Sequence, residues 1–85
     1  MQLEIITPIK NLYSDKITLV KLPGVKGSFE ILKSHAPIVS SLEKGTIKII
    51  DEKKQTIFFS ISGGVVECKS DVIVVLADSG ERVNE

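Results

Sequence analysis

The chain has 85 residues, with 11 basic and 11 acidic side chains, one histidine and one cysteine. A balanced charge excludes the positive field that nucleic acid binding needs, and it offers nothing to an anionic membrane surface. A lone cysteine, Cys68, excludes an internal disulfide framework and fits a reducing compartment.

No apolar run approaches the roughly 20 residues of a membrane-spanning helix. The N-terminus passes directly into Leu3-Glu4-Ile5-Ile6, without the charged region and cleavage site of a leader. Ile, Val and Leu dominate the apolar residues, and the aromatics are only Tyr13, Phe29, Phe58 and Phe59. β-branched side chains of this kind suit pleated sheet.

Taken in chain order, the pattern has a period of two. Leu3 and Ile5 alternate with Gln2 and Glu4, and Ile17 and Leu19 with Lys16 and Thr18. At Leu19-Val20 the apolar phase shifts, which a bulge or a strand buried on both faces would explain. Phe29 and Ile31 alternate with Ser28 and Glu30, and the pattern then blurs from Ser34 to Leu42. That stretch has helical spacing at Ile38, Val39 and Leu42, yet the same residues also fit a strand, and an irregular strand is expected. Ile47 with Ile49, then Ile57, Phe59 and Ile61, then Val72, Val74 and Leu76 each share a face. Gly63-Gly64 reads as a tight hairpin before the strand Val65-Val66-Glu67. Turn signals at Thr7-Pro8, Pro23-Gly24, Lys44-Gly45, Asp51 to Lys54 and Lys69 to Asp71 separate the strands. Short strands at this spacing predict an all-β sandwich or barrel, with no room for the crossover helices of parallel sheets. The polar stretch from Asp78 to Glu85 is expected to fray.

Chemistry is sparse. His35 lacks a nucleophile or a ligand partner nearby in sequence, and Cys68 lies in an apolar alternating stretch that reads as core. Gly63-Gly64 is not followed by the lysine or helix of a phosphate cradle. The carboxylates fall in turns or in the tail, and Ser40 and Ser41 lack an elbow motif. The residues therefore give no positive argument for an enzyme, a metal or a cofactor.

Five landmarks in register do point somewhere. Leu3-Glu4-Ile5-Ile6-Thr7-Pro8 opens the chain. Gly27 follows, then Phe29-Glu30-Ile31-Leu32 and His35-Ala36-Pro37-Ile38-Val39. Leu42 to Ile49, Ser62 to Cys68 and Val72 to Asp78 complete the set. Together they resemble the N-terminal domain of the epsilon subunit of F-type ATP synthases, called delta in mitochondria. Ser28, Glu30 and Lys33-Ser34 depart from the commonest residues of that family.

The resemblance implies a flattened β-sandwich of two mostly antiparallel sheets with about ten short strands. It would occupy residues 1–78 and leave 79–85 as a polar tail. It implies a non-catalytic part of the central stalk, docked on the gamma subunit and the ring of c subunits, coupling ion flow to ATP synthesis. Thr7, His35 and Ser40 then fall at the gamma contact, and Ser28 in a loop facing the c-ring. The family's two-helix C-terminal domain, which inhibits hydrolysis and in some relatives binds ATP, has no counterpart before Glu85, so neither property is expected. The expected place is the cytoplasmic face of the bacterial inner membrane, as a peripheral component without membrane insertion. A stand-alone sandwich module that binds a protein or ligand is the alternative, since fold alone does not fix function.

Overall fold

The computed structural model describes residues 1–84, and all of its regular structure is strand. The elements are β1 (Gln2–Ile6), β2 (Asn11–Gly24), β3 (Gly27–Leu32), β4 (Ile38–Leu42), β5 (Gly45–Asp51), β6 (Thr56–Ile61), β7 (Gly64–Lys69), β8 (Val72–Ala77) and β9 (Gly80–Val83). Hydrogen bonding follows the order β1-β8-β7-β4-β2-β5-β6-β9, with β3 and β1 also paired to β2. β2 is the hinge of the architecture. Its first half pairs with β1, and its second half pairs with β3 and β5. One layer is therefore β4-β7-β8-β1 and the other is β3-β2-β5-β6-β9, with β2 passing between them.

β2 can serve both layers because it is irregular where the sequence pattern shifts phase. Its register with β5 slips between Ile17 and Leu19. The slip carries Val20 and Leu22 into the core with Ile17 and leaves Leu19 only half-buried. An extra residue in one strand flips every later side chain to the other face, so a bulge resolves the two readings of this segment.

The inward residues are Leu3 and Ile5 from β1, Ile47 and Ile49 from β5, Ile57, Phe59 and Ile61 from β6, Val66 and Cys68 from β7, and Ile73, Val75 and Ala77 from β8. Each fully buried Leu, Ile or Val contributes about 1.5–3 kcal/mol by leaving water. The ring of Tyr13 packs edge-on against Phe59, with centroids 5.7 Å apart and planes at 69°.

Four expectations need correction. Val72, Val74 and Leu76 do share a face, but it is the outer one, with Val72 45% and Leu76 55% exposed. The register Leu3↔Ile73 and Ile5↔Val75 aligns the core-facing residues of β1 and β8 and turns the intervening set outward. That same β1–β8 pair is parallel, although the sequence leaves no room for a crossover helix. The rest of the domain, from β2 to β7, makes the crossover instead. Gly63-Gly64 is not a hairpin. β6 pairs with β5 and β9, whereas β7 pairs with β4 and β8, so the two glycines form a corner between layers. The polar end does not fray throughout, because Gly80–Val83 pairs with β6 as β9. The nine strands among the described residues agree with the expectation of about ten.

The blurred segment resolves into a turn followed by a strand. Ser34 takes φ 65°, and β4 begins at Ile38. Asp71 fixes the turn in place. Its carboxylate accepts from the Ser34 amide at 2.8 Å, and its carbonyl accepts from the Gln2 amide at 2.9 Å.

Candidate docking surfaces

Side-chain alternation gives the β4-β7-β8-β1 layer an outer face of unusual composition. Leu76 lies opposite Val65 on β7 and opposite Ile6 on β1. Val74 lies opposite Glu67, which lies opposite Val39 on β4. Val39 is 71% exposed, and Val65 and Leu76 are exposed beside it. Directly opposed residues are about 4.5–5.5 Å apart and diagonal ones about 7–8 Å, so these side chains form one apolar patch. Glu4, Glu67 and Lys69 lie within or beside the patch. An exposed apolar patch with charges within and around it is a signature of an interaction surface.

The four residues singled out in the sequence do not form one cluster. Thr7 is buried, and its hydroxyl donates to the Lys10 carbonyl at 2.9 Å and accepts from the Lys10 amide at 3.2 Å. It shapes the turn that presents Ile9, 89% exposed. Thr7 follows Ile6, at the end of the layer where Ala77, Gly64 and Leu42 meet. His35 lies at the opposite end, before Ile38 and near the Cys68–Ile73 pair. It is half-buried, and its Nδ1 lies 2.7 Å from the Ala36 carbonyl oxygen, which it reaches as a donor. Ser40 lies midway along β4, pairs with Val66 and is half-buried. Ser28 is exposed at the start of β3, opposite Pro23 in the β2–β3 hairpin.

Between the hairpin tip and β4 lies a groove of about 300 Å³ lined by Gly24 to Gly27, Phe29 and Val39 to Ser41. A second hollow, which Val39 also lines, is formed by Pro37, Ile38, Glu67, Cys68 and Lys69. Burial pushes the Cys68 thiol above its ordinary pKa, with the Asp71 carboxylate adding to the rise, so the thiol stays protonated and weakly nucleophilic. Among the described residues, no three His, Cys, Asp or Glu side chains gather as metal ligands.

Sequence reasoning missed Ile9, Val25, Val65 and Leu76 as surface residues. The signal was present in Val72-Ile73-Val74-Val75-Leu76, a run apolar on both faces. A run of that kind marks a strand with two apolar faces, here one turned to the core and one exposed in the outer patch.

The fold is thus an all-β sandwich with an exposed apolar patch on the outer face of one layer. Residues 1–83 match the family model described as the ATP synthase delta/epsilon chain, beta-sandwich domain. The chain belongs to that family. It is 42% identical over 86 residues to the ATP synthase epsilon chain of Desulforamulus reducens, covering 99% of this chain and 63% of the relative. It is 38% identical over 85 residues to the epsilon chain of Carboxydothermus hydrogenoformans, covering 100% of this chain and 63% of the relative. It therefore spans less than two thirds of the length of these curated relatives. Among solved structures, a chain of the Euglena gracilis mitochondrial ATP synthase superposes with a TM-score of 0.88 at 17% identity, covering 94% of this chain and 51% of that one. A chain of the Tetrahymena thermophila mitochondrial enzyme, from its central stalk and c-ring, gives 0.78 at 21% identity, covering 94% and 64%. At these identities the structural likeness speaks for the fold.

Proposed function

We propose that this domain is a non-catalytic rotor component of an F-type ATP synthase, docked on the gamma subunit and the c-ring and turning with them to couple ion flow to ATP synthesis. The family match over residues 1–83 carries the reading. The apolar outer patch of the β4-β7-β8-β1 layer supports it, because a joint that carries torque needs a broad contact rather than one pocket. The close-packed interior supports it too, because such a core resists shear.

In this reading the β4 side of the domain, with Ser40 and His35, meets gamma. The β1–β2 turn contributes through Ile9, with Thr7 holding the turn in shape. Ser28 and the β2–β3 hairpin face the c-ring. The domain sits as a peripheral component of that complex, on the cytoplasmic face of a bacterial inner membrane.

Reconstitution tests the proposal. The catalytic head, stripped of its own copy of this subunit and rebound to stripped membranes, is expected to regain ATP-driven ion pumping when this domain is added. Pumping that stays absent, with the catalytic head hydrolysing ATP uncoupled, would leave a sandwich module with some other partner.

A further inference from the structure

β4 has one edge hydrogen-bonded to β7 and another that is nearly free. Its contact with β2 is confined to Gly24↔Leu42. Two hydrogen bonds frame that bridge, from the Val25 amide to the Ser41 carbonyl at 3.2 Å and from the Glu43 amide to the Pro23 carbonyl at 2.8 Å. In an antiparallel ladder the N–H and C=O of one residue point to the same side, and successive residues alternate. Ser41 turns its carbonyl away from β7, so its amide and both backbone groups of Val39 turn away as well. None of these three groups has a backbone partner among the described residues. They open into the groove beside Val25 and Phe29.

Free strand edges usually carry protection in the form of charges, prolines or bulges. The β9 edge carries Glu81 and Arg82, and the β3 edge carries Glu30. β4 reads Ile-Val-Ser-Ser-Leu, with no charge and no proline. An uncharged edge with unmet donors and an acceptor, and with apolar side chains alongside, has the chemistry of a strand acceptor.

We propose that the Val39–Ser41 edge of β4 accepts an extended segment of the gamma subunit, which adds a strand to the β4-β7-β8-β1 layer. The proposal rests on the rotor reading above and specifies how that contact is made. The segment must be extended and uncharged, with one side chain directed onto Phe29 and Val25 and the next lying beside Val39. A second copy of this chain at the same edge is one of the outcomes that the test separates.

Amide hydrogen exchange on the domain, free and with purified gamma subunit, tests this directly. In the free domain the Val39 and Ser41 amides are expected to exchange at open-edge rates while their neighbours Ile38 and Ser40 are protected. With gamma bound, both open amides are expected to slow by at least about tenfold. Val39→Lys, a charge placed on the edge, is expected to weaken gamma binding by about tenfold or more without unfolding the domain, whereas Arg82→Ala on the β9 edge leaves it unchanged. Gamma binding with Val39 and Ser41 still exchanging freely would overturn the strand contact and leave the rotor reading standing. No gamma binding at all would overturn both. Protection that appears in the concentrated domain alone, together with a dimer in sedimentation, would overturn gamma as the occupant in favour of a second copy.

Discussion

Gly64 is the position where one added methyl group should do the most damage. It has φ 154°, and a Cβ built there would lie 2.9 Å from the Ala77 Cα and 3.1 Å from the Leu76 carbonyl carbon, with the Leu76 oxygen nearer still. All three atoms are backbone of β8, held by pairing to both β7 and β1, so they cannot swing aside. Gly64→Ala therefore carries two costs. Backbone strain contributes about 1–3 kcal/mol. Displacing a packed strand contributes about 1–3 kcal/mol more. Gly27 provides the control, because it has φ 118° but nothing within 4 Å of the Cβ position. Gly27→Ala should carry the strain alone, about 1–3 kcal/mol. A domain of this size has roughly 4–13 kcal/mol of stability in total. Urea denaturation of both variants is the assay. Gly64→Ala is expected to lose about 3–5 kcal/mol, and its Tm to fall by more than about 10 °C, with Gly64→Val worse. Equal losses at the two glycines would refute the steric part of the argument. A loss under about 1 kcal/mol at Gly64 would refute both parts.

Other perturbations test separate parts of the structure. Asp51 is buried at the β5–β6 turn, where Oδ1 accepts from the Lys53 and Gln55 amides at 2.9 Å each. Asp51→Ala should cost about 1–3 kcal/mol in urea denaturation and Asp51→Asn less, since an amide oxygen still accepts; equal losses would contradict this. The Tyr13 hydroxyl is buried without a hydrogen-bond partner among the described residues, so Tyr13→Phe should leave the melting temperature unchanged or raise it, and a clear drop would reveal a missed partner. Burial first, and the Asp71 charge second, raise the Cys68 pKa from its ordinary 9.0. A raised folded-state pKa contributes stability that is complete below the unfolded value and is lost as pH rises through the folded value, so stability should fall above about pH 9 and fall less in Cys68→Ala. His35→Asp should weaken the gamma contact and leave the isolated domain folded, because it places a charge in the interface; unaltered affinity would remove His35 from that contact.

Most of the fold was legible because strand pairing preserves a period-two pattern. Leu3 with Ile5, Ile47 with Ile49, and Ile57 with Phe59 and Ile61 all face inward as the alternation predicts. Alternation fails where both faces are apolar. In β8 it could not tell Ile73 and Val75 from Val72 and Leu76, and only the register with β1 decides between them. Gly63-Gly64 misled for another reason. Glycines report that an unusual backbone is needed, but not whether the chain turns back on its own sheet or crosses to the other. The accessibility of the four residues named for docking was legible only in part. Ser28, Ser40 and His35 are accessible or half-buried, but Thr7 turns its hydroxyl into its own turn, so the exposed residue there is Ile9. The open edge at Val39 depends on which way backbone groups point, and side-chain patterns carry no record of that.

The proposed function requires this domain to dock on gamma. Calorimetric titration of the domain with its cognate gamma subunit tests it most directly. Saturable one-to-one binding, tighter than about 10 μM and weakened by Val39→Lys, is the expected result. Absence of binding at that concentration, with the domain shown to be folded, would rule out docking on gamma.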